Sequence, residues 1–276
     1  MKRRLIISAL LVGLVLLTLG LVSYVSRPPK VIYPTVIMTG SDGKIATIDP
    51  LVSGLRDATK GKAMPGLQIV VDTDNSLSVT GRLTRGKTYP LIEVGMTKGT
   101  NNSIKIEAAL KAVMIYLKSH YHVDYCNLIG FSAGGGGDLR YLLNDNADNK
   151  HTIVRRWVSL DGQFNACTPQ PNQTLAEVLK DGPKVKTKYY EYWLENYHKM
   201  NSGIAVALLA GNYKNSNSTD GVVPWADTFS IYPLLKKNGN PVTRYTFTGT
   251  ESDTYHVGVS SNPKAQAFIA KFLYED

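Results

Sequence analysis

The sequence predicts an α/β fold with a mostly parallel central sheet and helices on both faces. Three observations carry that expectation. Short apolar runs alternate with stretches of helical spacing along residues 31–276. The sharpest transition is Gly130-Phe131-Ser132-Ala133-Gly134, where an apolar run ends in a glycine-bracketed serine and a helical pattern begins. Internal repeats and low-complexity tracts are absent, so 276 residues suit one such domain, 31–276, plus a short N-terminal appendage, 1–30.

The appendage begins Met1-Lys2-Arg3-Arg4, and residues 5–25 then carry no charge. As a helix this run spans about 31 Å, enough for the ~30 Å hydrocarbon core of a bilayer. It exceeds the usual signal-peptide core and offers no clean small-x-small cleavage site, so an uncleaved signal anchor, a single N-terminal transmembrane helix, is expected. Secretion after cleavage is the alternative. Lys2, Arg3 and Arg4 place the amino terminus in the cytoplasm and the remaining chain outside. Residues 27–30, Arg-Pro-Pro-Lys, read as a stiff spacer.

Beyond the spacer, residues 34–40 read as the first central strand, and a helix is expected near 51–58. The runs 67–71 and 77–83 flank Asp72-Thr73-Asp74-Asn75-Ser76, which indicates a hairpin. Residues 89–94 read as another strand. A long helix follows over 103–120, with Ile104, Ile106, Ala109, Leu110, Val113, Tyr116 and Leu117 on one broad face. Residues 127–131 form the strand before Ser132, and 138–143 a helix after it. Further strands are expected at 153–160, 204–210 and 242–247, with 264–274 as the closing helix. The segment 162–200 reads as a small cap. Its Tyr189, Tyr190, Tyr192, Trp193 and Tyr197 form a helical stripe that either packs the helix onto the body or walls a substrate site.

The net charge of +9 gives no argument for nucleic acid. Five of the 31 basic residues lie in 1–30 without an acidic neighbour, which leaves 26 positive against 22 negative groups elsewhere. Cys126 and Cys167 fall near opposite edges of the expected sheet, so no disulfide is expected. Neither has metal-ligand spacing.

Chance supplies about 0.1 G-x-S-x-G matches in a chain this long, so the flanks decide its meaning. Small residues on both sides suit a serine held on a strained turn, with the following helix passing close to the preceding strand. The four glycines at 134–137 invite a phosphate loop, but no Lys-Ser/Thr pair follows. A serine hydroxyl needs a base to take its proton. Of the five histidines, only His256 lies between the last strand and the closing helix. Asp220, in Asp220-Gly221-Val222-Val223-Pro224, is the preferred acid, and Asp161 after the 153–160 strand is the alternative. Asp253 is too near His256 in sequence to face its ring well and reads as a solvated loop residue. The oxyanion donors are expected at Ala133 N–H and Ser41 N–H, with Gly40 as the alternative to Ser41.

Thr39-Gly40-Ser41, Gly-Phe-Ser-Ala-Gly-Gly, Asp161-Gly162-Gln163-Phe164-Asn165, Asp-Gly-Val-Val-Pro and a late His together resemble the cell-surface α/β-hydrolases of Gram-positive bacteria over about residues 31–276. The resemblance implies an α/β-hydrolase fold and a Ser-Asp-His triad at Ser132, Asp220 and His256. Such proteins commonly read His-Gly where this chain has Thr39-Gly40, and Gly-His-Ser where it has Gly-Phe131-Ser. The expected activity is an esterase or lipase on small-molecule or lipid-like esters, acting through an acyl-enzyme outside the cell. The only expected membrane partner is reached through the N-terminal helix; no metal or organic cofactor is implied. A surface-binding protein reusing the fold, or an acyltransferase, are the other readings.

Overall fold

A computed structural model of the chain describes residues 33–83, 89–147 and 150–275. The expected anchor and spacer at 1–30 lie outside them. Among the described residues, no helix is long and apolar enough to cross a membrane.

The chain runs β1 (Thr35–Met38), α1 (Asp49–Ala58), β2 (Ala63–Val71), β3 (Leu77–Gly81), β4 (Tyr89–Met96) and α2 (Ser103–Tyr121). It continues with β5 (Tyr125–Phe131), α3 (Ala133–Asn144), β6 (Ile153–Leu160), α4 (Leu175–Asp181), α5 (Lys188–Asn196) and β7 (Ala205–Gly211). Then come α6 (Trp225–Thr228), α7 (Tyr232–Lys237), β8 (Val242–Phe247), α8 (Glu251–Thr254) and α9 (Pro263–Tyr274). The eight strands form one sheet in the order β3-β2-β4-β1-β5-β6-β7-β8. Every pairing is parallel except the expected β2–β3 hairpin.

Alternation along the strands divides the core in two. Val36, Met38 and Leu128 face one side, under α2 and α3. Ile37, Ile129 and Phe131 face the other, against Leu51, Leu55, Ile269 and Leu273 of α1 and α9. A period of two along buried parallel strands thus gives both faces an apolar surface, and each needs a helical layer to cover it.

The elements differ from the sequence reading mainly at their ends. β2 begins at Ala63, four residues before the expected start, because a register shift between Pro65 and Leu67 carries the strand past Gly66. Pro65 and Gly66 read as turn residues in sequence, and the bulge accommodates them within the sheet. Between Pro224 and Asn238, the short helices α6 and α7 fill a stretch with too few residues to show a period.

The register aligns the carboxyl ends of the central strands. Met38 pairs with Gly130, Phe131 with Leu160, and Leu160 with Leu209. The residues that follow these strands therefore emerge side by side, which is where open parallel sheets place their sites.

Glu93 is one buried acid through which the stability of the fold is expected to depend on pH. Glu93 on β4 is 3% exposed, and Gln68 Nε2 donates to its Oε1 at 3.3 Å. Burial first, and then a hydrogen bond with the Asp49 carboxyl, raises Glu93 from 4.5 to about 7. The folded protein holds this proton more tightly than the unfolded chain does. Stability from this group therefore falls as pH rises from about 4.5 and is fully lost above about 7. Glu93→Gln is expected to flatten that part of the dependence, by on the order of 1–3 kcal/mol in urea unfolding across the window.

Candidate active site

Ser132 sits between β5 and α3 with φ 55° and ψ −124°. A non-glycine residue holds this conformation only when its surroundings over-determine it. Its own N–H donates to Leu160 O at 3.0 Å, and its carbonyl accepts from Gly135 N at 3.0 Å and Gln163 N at 3.3 Å. Two glycines permit the packing around it. A Cβ on Gly134 would lie 2.6 Å from Thr39 O, and one on Gly130 would lie 2.2 Å from Asp138 Oδ2.

The structure brings Ser132, His256 and Asp220 together. Ser132 Oγ lies 2.8 Å from His256 Nε2, and His256 Nδ1 lies 2.5 Å from Asp220 Oδ2. His256 is 7% exposed, Ser132 2% and Asp220 0%. With Nδ1–H donating to Asp220, Nε2 is free to accept the serine proton, the tautomer a general base requires. Asp220 Oδ1 accepts from the amides of Val222 (2.8 Å) and Val223 (2.6 Å). The two loops are also joined through the backbone, His256 N–H donating to Asp220 O at 2.9 Å. The Phe131 ring packs 5.2 Å, centroid to centroid, from the imidazole.

Asp161, the alternative acid, occupies a different place. It is 0% exposed, and its Oδ1 accepts from Gly211 N–H at 2.9 Å rather than from His256. Burial, and next the Asp220 carboxylate, raise its proton affinity well above the ordinary range. Asp253 binds Asn262 Nδ2 at 3.0 Å and makes no bond to His256.

Ser41 and Ala133 both line a cavity of about 230 Å³, together with Ser103, Gln163, Tyr189 and Trp193. Neither their N–H groups nor that of Gly40 donates to another backbone group among the described residues. Gly40 instead lies behind the serine, where a Cβ would meet Ser132 Cβ at 3.0 Å. The aromatic stripe divides its work. Tyr190 is 1% exposed and packs inward; Trp193, also 1% exposed, donates from Nε1 to Phe164 O at 2.7 Å and lines the cavity together with Tyr189, which is 37% exposed. Both cysteines are free, and burial pushes the Cys167 thiol to about 12, leaving it protonated near neutral pH.

A family model described as an alpha/beta hydrolase of unknown function matches residues 25–276. The chain belongs to that family. This α/β-hydrolase also resembles solved structures. A Listeria innocua gene product superposes with a TM-score of 0.78 at 22% identity, covering 88% of this chain and 94% of the other. A Lactobacillus plantarum protein, provisionally assigned as a cell surface hydrolase, superposes with a TM-score of 0.70 at 18% identity, covering 88% and 91%. No curated protein sequence matches.

Two residues of this α/β-hydrolase escape sequence reasoning. Gln163 Nε2 donates toward Ser132 Oγ at 3.3 Å. Its stretch contributes to the family resemblance, but nothing in the sequence points its side chain at the serine. Asp227 is 1% exposed and gathers the loop after β6: Oδ1 accepts from Phe164 N (2.5 Å) and Asn165 N (2.7 Å), and Oδ2 from Cys167 N. That loop carries Gln163, so Asp227 holds the amide in place from a position 64 residues later in the chain. Asp227→Ala leaves the buried amides of Phe164 and Asn165 and the part-buried amide of Cys167 without that acceptor. Urea unfolding is expected to show a loss of about 2–4 kcal/mol.

Proposed function

We propose that this protein is a serine hydrolase of carboxylic esters that uses Ser132, His256 and Asp220. The observation that carries the reading is the unbroken hydrogen-bonded line from Ser132 Oγ through His256 to Asp220, at 2.8 and 2.5 Å. Ser132 Oγ attacks the ester carbonyl as His256 Nε2 takes its proton, and Asp220 stabilises the imidazolium through Nδ1–H. The amides of Ala133 and Ser41 face the developing oxyanion. A preorganised donor of this kind contributes about 3–4 kcal/mol to the transition state. His256 then returns the proton to the leaving alcohol, and a water activated by the same imidazole clears the acyl-enzyme.

The cavity supports a short acyl group. Its ~230 Å³ falls below the roughly 300–1,000 Å³ of sites that enclose drug-sized ligands, and Ser41, Ser103 and Gln163 give it a partly polar lining. Placement at the cell surface is supported by the charge-free run at 5–25 behind three basic residues. The assignment of the Lactobacillus neighbour agrees with it.

A fluorophosphonate probe is expected to label the wild type and not Ser132→Ala, with His256→Ala slowing ester hydrolysis at least about a thousandfold. An unlabelled wild type overturns the reading. Across p-nitrophenyl esters of graded length, acetate to butyrate is expected to exceed octanoate in kcat/KM by about tenfold. A preference for long chains sinks the short-acyl assignment.

A further inference from the structure

We infer that Asp161 keeps its proton and donates it in a hydrogen bond to Asp220, making Asp161 a positioning residue that acts through the triad acid. This rests on the proposed roles of Ser132, His256 and Asp220. Four observations lead to it.

Asp161 sits in a costly place for an ordinary surface acid. It follows β6 with φ 49°, a left-handed conformation for a non-glycine residue, and it is wholly buried. Its loop is fixed by its own N–H, which donates to Leu209 O at 2.9 Å.

Its two oxygens are treated differently. Oδ1 accepts from Gly211 N–H at 2.9 Å, but Oδ2 has no donor among the described residues. A buried carboxylate oxygen without a donor carries a large desolvation cost. A protonated Oδ2 removes that cost, provided an acceptor lies within reach.

That acceptor is Asp220. The two carboxyls are close neighbours: one polar atom from each of Asp161, Asp220 and His256 lies within 4.8 Å of the others. Two ionised carboxylates this close cannot both persist in a dry site. No Lys or Arg ion-pairs with either acid among the described residues. The other titratable groups that face the pair are His256 and the protonated Cys167 thiol.

The donors decide which acid holds the proton. Asp220 accepts three N–H bonds, from Val222, Val223 and His256 Nδ1, all of which favour its ionised form. Asp161 accepts one. The pair therefore carries one negative charge, on Asp220, and the Asp161 proton bonds it from behind. A divalent ion is a poor alternative occupant. Both ring nitrogens of His256 are already engaged, Nδ1 with Asp220 Oδ2 at 2.5 Å and Nε2 with Ser132 Oγ at 2.8 Å.

Asp161→Asn reproduces this pattern, with Oδ1 accepting from Gly211 and Nδ2 donating to Asp220. Asp161→Ala removes the donor and leaves Asp220 a less restrained, more basic carboxylate. On p-nitrophenyl butyrate, the Ala variant is expected to lose about 10–100-fold in kcat with little change in KM. The acidic limb of its kcat/KM profile should move to higher pH, because the bare carboxylate strengthens His256's hold on its proton. The Asn variant should recover most of the lost rate and return the limb to its wild-type position. An Asn variant as impaired as the Ala variant, or one whose limb moves further, overturns the inference.

If the Ala variant fails to fold, infrared difference spectroscopy decides. Wild type minus Asp161→Asn at about pH 8 should show the carbonyl band of a protonated carboxylic acid, and its absence overturns the inference. The infrared result also separates the two readings. A wild type that neither labels nor hydrolyses removes the hydrolase assignment, whereas the band still reports on the Asp161 proton.

Discussion

The arrangement at the site depends on the strained turn at Ser132. Holding a serine at φ 55° costs about 1–3 kcal/mol, which the surrounding sheet must offset. It does so by clamping both peptide groups: the N–H is bound by β6 through Leu160, and the carbonyl by the start of α3 and the loop after β6. The strain points Oγ away from the sheet and toward His256, and the same turn frees the amide of Ala133 at the head of α3. A relaxed backbone here would separate those two features.

Everything else at the site is positioned relative to that turn. The β1–β5–β6–β7 register delivers Gly40, Ser132, Asp161 and Gly211 together at the carboxyl ends of these strands. Gly211 supplies the amide that holds Asp161, and the loop beyond it brings in Asp220. His256 is the most distant contributor in sequence, and its backbone bond to Asp220 ties its loop to the rest. Central parallel strands are buried on both faces, so this scaffold has little freedom to shift. The flexible choices are left to loops.

How far the sequence could be read depended on whether a signal was local. The β5–Ser132–α3 transition is local: an apolar run, a tight turn and a glycine-led helix are all visible within twenty residues. Placing Asp220 and His256 needed only chain order and the positions of the last strands. The cap helix α5 was visible as a stripe, but its division into packing residues and a cavity wall was not, since Tyr189 and Tyr190 are neighbours in sequence that face different surroundings. Asp227 and Gln163 had no local mark at all. Asp227 reads as one more acid in a short helix, and its importance comes from amides about 60 residues earlier in the chain. Asp161 was legible as a possible acid, whereas its single donor and its orphaned oxygen exist only once β6 and β7 are side by side.

The Phe131 ring against His256 has a consequence for how the proposed reaction divides between products. Phe131 packs against the imidazole, Asp220 holds Nδ1 and Ser132 Oγ lies at Nε2, so the 7%-exposed ring leaves little open surface from which a small molecule can reach Nε2. The departing alcohol and the incoming water must then use the same approach in succession. An alcohol slow to leave occupies the space that water needs, and the acyl group can return to it. In the proposed reaction, the partition between hydrolysis and acyl exchange then becomes a matter of how long the alcohol stays beside so enclosed a ring.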